Sequence, residues 1–141
     1  PILGVVYAPV LDIAWYGIIN EGSYKVFNNE SAVKINVIKP DNTVKIVTSR
    51  SHSNNPKLND FLKDYSDYEL VKMGSSIKIC LVADGSAHMY PRLGPTMEWD
   101  TAAAHAVVKY AGGNIYELNS KNELIYNKSN LLNPEFLVDY S

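Results

Sequence analysis

The sequence predicts an α/β protein of the layered α+β type. Three observations carry this. The opening third reads as strands with no helix between them. From Thr43 onward, strand patterns alternate with helix patterns, which is the mark of an α/β layer. Between the two lies "KPDN", Lys39 to Asn42, a cluster of turn residues. It sets the expected boundary: a partial layer of strands over 1–42, an incomplete domain, and an α/β domain over 43–141.

The elements follow in order. "ILGVVYAP" and "DIAWYG" are two strands separated by Val10-Leu11, a hairpin or meander. "SYKVFN" and "VKINVI" are divided by the polar "NNES". "TVKIVTS" is a β-rich apolar run, so a buried strand, and "SHSNNP" is a loop. "PKLNDFLKDY" has Pro56 at a helix start and Leu58, Phe61 and Leu62 on one apolar face. "YELVKM" is a strand. "GSSIKICLVADG" passes from loop into a helix that Gly85 stops. "AHMYP" is a short strand. "WDTAAAHAVVKYAGG" is the clearest helix, with Gly112 just past its end. "NIYEL" and "EFLVDY" are strands.

Composition bounds the function. The chain has 141 residues, 46% hydrophobic and 20% charged, as in a globular protein with a real core. Its net charge of −2 gives no electrostatic case for nucleic acid or an anionic membrane. The single cysteine, Cys80, excludes a disulfide framework and nearly excludes a cysteine-based metal site. It lies in the apolar "IKICLVA", where a free thiol behaves as a small hydrophobe. No signal peptide and no membrane-spanning run is present, so a cytoplasmic protein is the expectation.

Four stretches carry candidate chemistry, each with an ordinary alternative. Asp100 falls in the first turn of the clearest helix, where the macrodipole stabilises a carboxylate by about 0.3–1 kcal/mol. It equally suits a hard cation such as Mg²⁺, which takes one or two carboxylates plus phosphate and water oxygens. Ala102, Ala103 and Ala104 would let backbone approach such a site. Trp99 would pack beneath it, and Glu98 is expected to be a solvated neighbour. "MGSSIK" leads a strand through Gly74, Ser75 and Ser76 into a helix. Its free N–H groups, hydroxyls and Lys78 resemble a phosphate cradle in kind, though a plain serine cap explains them too. "SRSH" follows a buried strand, where α/β sheets place ligand residues, and offers Ser49, Arg50, Ser51 and His52. "YPRLGPT" is a rigid loop that would hold Arg92 near the Asp100 helix, suited to phosphate or to a base. His88, His105, Trp15 and the tyrosines read as structural. All four signals sit at the ends of elements in one layer.

These residues carry a resemblance. "EWDTAAAHAVVKYAGG" resembles the second signature of the inositol monophosphatase superfamily: a Trp-Asp, small residues, then Ala-Gly-Gly. With "SRSH", "GSSIK", "YPRLGPT" and "LLNPEF" in order along the chain, the sequence is similar to the 3′(2′),5′-bisphosphate nucleotidases, in particular their bacterial type. The resemblance implies the C-terminal half of an αβαβα sugar-phosphatase fold. It implies a Mg²⁺-dependent, lithium-sensitive phosphatase that converts adenosine 3′,5′-bisphosphate to AMP and phosphate in sulfur metabolism. It implies that Asp100 binds a catalytic Mg²⁺, and that His52, Ser75, Lys78 and Arg92 bind the nucleotide, with Ser49 and Gly74 as further contacts. Ala104 stands where related proteins often have glycine, a small-for-small change.

The superfamily's first signature, an Asp-Pro-Ile/Leu-Asp-Gly-Thr run with an earlier glutamate, has no counterpart here. Those residues supply most metal ligands and position the attacking water. The family places the run shortly before a strand like "ILGVVYAP". The expectation is therefore that Pro1 is internal to a longer enzyme. Its missing N-terminal half would be the chief partner, and this portion alone would bind Mg²⁺ poorly and not turn over. Exposed strand edges make homodimerisation or aggregation a risk. The alternatives are an inositol phosphate phosphatase and a nucleotide-binding domain without catalysis.

Overall fold

The computed structural model of the chain describes residues 1–49 and 55–141. Strands β1 (Leu3–Ala8), β2 (Ile13–Ile18), β3 (Gly22–Phe27) and β4 (Val33–Ile35) form an antiparallel meander in that spatial order. The β1–β2 turn carries Asp12 at φ 48° and the β2–β3 turn Asn20 at φ 63°, residues that tolerate the left-handed region. Burial along β1 has period two: Gly4, Val6 and Ala8 face inward, while Leu3, Val5 and Tyr7 face out. Trp15 on β2 is 1% exposed, and its indole N–H donates to Asp84 Oδ2 at 3.0 Å. Lys25 on β3 reaches the same oxygen at 2.6 Å, so a buried carboxylate ties this sheet to the helix behind it.

The second half is a mixed sheet. Strand β5 (Val44–Ser49) runs parallel to β6 (Tyr68–Met73), with helix α1 (Pro56–Leu62) in the crossover. Helix α2 (Ile77–Ala83) follows and stops at Asp84 and Gly85, the latter at φ +74°. His88 and Met89 then lie along β5: His88 N–H donates to Lys45 O at 2.9 Å, and Val47 N–H to Met89 O at 2.8 Å. Strand β7 (Tyr90–Arg92) continues into an antiparallel set in the order β7, β9 (Phe136–Asp139), β8 (Asn114–Glu117). The parallel bridge between Ile46 and Met89 joins the two sets.

Helix α3 (Glu98–Tyr110) packs on β1, β2 and β3 on one side and on α2 and β8 on the other. The layers are therefore four-stranded sheet, α2 with α3, mixed sheet, α1. Ile46 and Val47 show why. Both are wholly buried, yet neighbours in a strand face opposite ways. Val47 joins the core of Val6, Trp15, Ile79 and Val107, whereas Ile46 joins Leu58, Leu62 and Met89 beneath α1. A strand covered on both faces needs the continuous apolar run that "TVKIVTS" has. Each such side chain contributes about 1.5–3 kcal/mol on burial.

Three expectations shift in detail. The strand over "VKINVI" ends at Ile35. The strand over "AHMYP" begins at Tyr90 and runs to Arg92, because His88 and Met89 are taken up by β5 and the Ala87 N–H by Leu81 O. The alanines of α3 serve the sheet. A Cβ at Gly4 would lie 2.0 Å from Ala103 O, so the close approach these small residues permit is to β1. No helix among the described residues is long and apolar enough to cross a membrane.

Candidate active site

Parallel strands β5 and β6 end at the same side of the molecule, where α/β sheets form crevices. Ser49 is the last residue of β5. Met73 ends β6, and Gly74 leads into Ser75, which is held at φ 56°, and Ser76, the cap residue of α2. Arg92 ends β7, and Asp100 lies in the first turn of α3. Ser49, Ser75, Ser76, Lys78, Arg92 and Asp100 line one open cleft of about 480 Å³. Gly74 adjoins the cleft in sequence without lining it. His52, together with Arg50 and Ser51, lies outside the described residues.

Each side chain is held differently. Lys78 is only 5% exposed; its Nζ donates to Ser75 O at 2.8 Å and sits 5.3 Å from the Tyr90 ring centroid. The cation is thus aimed at the β6–α2 loop. Burial raises the Tyr90 hydroxyl above its usual range, so the ring stays neutral beside it. Arg92 donates from Nε to Gly94 O at 3.1 Å and from Nη2 to Pro95 O at 2.9 Å, folding the loop after β7 around its guanidinium. Asp100 Oδ2 accepts the Met97 N–H at 2.8 Å. The carboxylate satisfies the N–H of the cap residue Met97 and remains exposed on the cleft wall.

Two neighbours of Asp100 differ from expectation. Trp99 does not pack beneath the helix start; it is 67% exposed and borders the cleft. At the second helical position its side chain has no core to enter. Glu98 is not a solvated neighbour. Its carboxylate accepts the Asn127 N–H at 2.7 Å and the Lys128 N–H at 3.1 Å, and pairs with Lys128 Nζ at 2.5 Å. The Lys128 ammonium beside it holds its carboxyl below the ordinary glutamate range.

The residues that fasten this corner were not singled out as site residues. Asn133, 5% exposed, donates its backbone N–H to Thr96 O at 2.8 Å. Its Nδ2 lies 2.9 Å from Met97 O and 3.1 Å from Thr101 Oγ1. In the sequence Asn133 figures only as part of "LLNPEF", and nothing local names its partners. His105 reads correctly as structural. Wholly buried, it contacts the Tyr126 hydroxyl at 2.8 Å and Asn114 Oδ1 at 2.7 Å, and burial lowers its pKa. His88 accepts the Lys45 N–H on Nδ1 at 2.9 Å. Burial raises the Cys80 thiol, which makes it unreactive.

A metal at this cleft would meet one carboxylate. Among the described residues, no three His, Cys, Asp or Glu side chains gather into a metal-binding group. Asp100, a hard oxygen donor fixed by one hydrogen bond, fits a single position in a Mg²⁺ shell.

Comparison with known proteins places the arrangement. Residues 1–137 match the inositol monophosphatase family. The 3′(2′),5′-bisphosphate nucleotidase CysQ of Salmonella typhimurium is 39% identical over 139 residues, covering 98% of this chain and 54% of that protein. The crystal structure of CysQ from Bacteroides thetaiotaomicron, a bacterial member of the inositol monophosphatase family, superposes with a TM-score of 0.88 at 38% identity. It covers 99% of this chain and 58% of that one. Inositol monophosphatase II of Staphylococcus aureus shares the fold, with a TM-score of 0.78 at 20% identity, over 99% of this chain and 50% of its own. The chain thus spans about half the length of the curated relatives it matches. On the family match over nearly its whole length, the chain belongs to the inositol monophosphatase family.

Proposed function

We propose that this chain is the C-terminal part of a Mg²⁺-dependent 3′(2′),5′-bisphosphate nucleotidase that hydrolyses adenosine 3′,5′-bisphosphate to AMP and phosphate. The observation that carries this is the convergence of Ser49, Ser75, Lys78, Arg92 and Asp100 on one cleft. The name of the relative at 39% identity, a 3′(2′),5′-bisphosphate nucleotidase, supports the nucleotide over the inositol phosphate.

Asp100 holds one metal position from this side of the cleft. A Mg²⁺ held there by Asp100 would supply Lewis-acid chemistry, acidifying water and offsetting phosphoryl charge. Lys78 and the hydroxyls of Ser49 and Ser75 hold a phosphate at the β5–β6 end, with Gly74 letting the backbone approach and His52, outside the described residues, as a further nucleotide contact. Arg92 holds the opposite wall. Their contribution is orientation: a fixed dianion in line with the attacking water.

The boundary at 42/43 belongs to the same reading. Residues 43–141 form the C-terminal domain. Residues 1–42 form strands of a layer that the rest of a longer enzyme completes. The outer face of β1 supports this, since Leu3, Val5 and Tyr7 are 56%, 57% and 56% exposed. That face also makes self-association the competing fate of the chain alone.

The test is phosphate release from adenosine 3′,5′-bisphosphate and from inositol monophosphate by the full-length enzyme with Mg²⁺, against its Asp100→Asn variant. We expect nucleotide preference and a loss on the order of 100-fold in the variant. Preference for inositol monophosphate overturns the substrate. Undiminished turnover in Asp100→Asn overturns the site. Turnover by residues 1–141 alone overturns the need for an N-terminal half.

A further inference from the structure

The geometry points to Asn133 as a positioning residue for the Asp100 carboxylate; this rests on the reading of Asp100 as a metal ligand. Asn133 lies 33 positions from Asp100 in the sequence, yet its side chain is spent on the first turn of α3. Its Nδ2 stands 2.9 Å from Met97 O, 3.1 Å from Thr101 Oγ1 and 3.3 Å from Thr96 Oγ1. Its backbone N–H donates to Thr96 O at 2.8 Å, and Leu132 bridges Met97 beside it. Met97 is the residue whose N–H holds Asp100 Oδ2 at 2.8 Å. The chain of contacts is therefore Asn133 Nδ2 to the Met97 carbonyl and, across the Met97 Cα, the Met97 N–H to the carboxylate; the Asn133 N–H also holds Thr96 O, in the same peptide group as that N–H.

Two features set this apart from ordinary packing. The amide orientation is dictated, because Met97 O can only accept, so the nitrogen must face it. That choice leaves Asn133 Oδ1 buried without a partner among the described residues. A buried unpaired acceptor is costly, and an apolar residue of similar size would avoid it. Pro134 adds the second feature. It restricts Asn133 to extended backbone, which fixes the direction from which the amide enters. Asn133 holds Thr96 and Met97 of the loop after β7, and that loop also carries Gly94 O and Pro95 O, the two acceptors of Arg92. One side chain thus steadies the metal carboxylate and the loop that aims the guanidinium.

The experiment is Mg²⁺ binding by calorimetry to the full-length enzyme without nucleotide, for Asn133→Ala, Asn133→Ser, Asp100→Asn and the double variant Asn133→Ala/Asp100→Asn. Amide exchange at Met97 and Asp100 is read in the same proteins without metal. We expect Asn133→Ala to weaken Mg²⁺ about tenfold, as loss of an outer partner does. Asn133→Ser, the milder change should Asn133→Ala not fold, falls between. Exchange at the two amides should speed up, and the double variant should bind no worse than Asp100→Asn. Unchanged Mg²⁺ affinity in both Asn133 variants, or losses that multiply in the double variant, overturn the proposal. If Asp100→Asn itself binds Mg²⁺ like the wild type, the site reading falls and this role falls with it.

Discussion

Glu98 and Lys128 meet at 2.5 Å across thirty residues of chain, fastening the first turn of α3 to the segment after β8. Both side chains are largely enclosed, at 12% and 21% exposure, and Glu98 also takes two backbone N–H groups from Asn127 and Lys128. The pair is therefore a clamp on the corner that carries Asp100.

Its pH dependence follows from the direction of the Glu98 shift. The Lys128 ammonium lowers the folded pKa below the ordinary 4.5. The stabilisation is then complete above the unfolded value and is lost as pH falls through the folded one. Glu98→Gln should lower the urea midpoint near neutral pH. The gap to wild type should close as pH drops well below 4.5. Urea titrations at both ends measure it, and a gap that persists unchanged in acid would show the charge to be irrelevant.

The clamp also shows what the sequence could and could not reveal. The strand over "ILGVVYAP", the Pro56 helix start and the Gly-Gly end of α3 are local signals, and each lies where its pattern put it. The gathering of Ser49, Ser75, Lys78, Arg92 and Asp100 was legible too, because α/β chemistry collects at the ends of elements. Glu98, Trp99 and the role of Asn133 were not. The partners of Glu98 and Asn133 lie about thirty positions away, and no spacing rule encodes such a pairing; Trp99, at the second helical position, has no core to enter. The shift of β7 has the same origin: His88 and Met89 bond to β5, more than forty residues upstream.

The seam between α3 and the four-stranded sheet should tolerate no added atom. A Cβ at Gly17 would sit 2.5 Å from Ala106 O and 2.8 Å from both Ser23 Oγ and Val107 Cα. The obstacles are backbone and a buried side chain, so nothing flexible can give way. Gly17→Ala should lose about 3 kcal/mol, the upper end of overpacking costs, or fail to fold. At Gly94 an added Cβ meets nothing within 4 Å, and Gly94→Ala should stay within about 0.5 kcal/mol of wild type. Denaturant unfolding of the pair decides it. Equal stabilities would mean that the sheet can lift from α3 without cost.

Acid should loosen the same helix from within, through His105. Its ring is wholly buried, and Asn114 Oδ1 at 2.7 Å can only accept, so Nε2 carries the proton. Nδ1 then accepts the Tyr126 hydroxyl at 2.8 Å, and the neutral ring has both partners. Glu123, 3.5 Å away, favours the charged ring, but it is already paired with Lys109 and burial outweighs it. The folded pKa lies below the ordinary 6.5, so the unfolded chain binds the extra proton first. Stability is whole above 6.5 and declines as pH falls from there toward the folded value. His88, lowered by burial as well, adds to the decline in the same window. His105→Gln should cost about 1–3 kcal/mol near neutral pH by leaving buried partners unpaired. It should also flatten the slope of stability between roughly pH 7 and pH 5, leaving the share that His88 carries. Identical slopes in wild type and variant would mean that His105 is not the group taking up the proton.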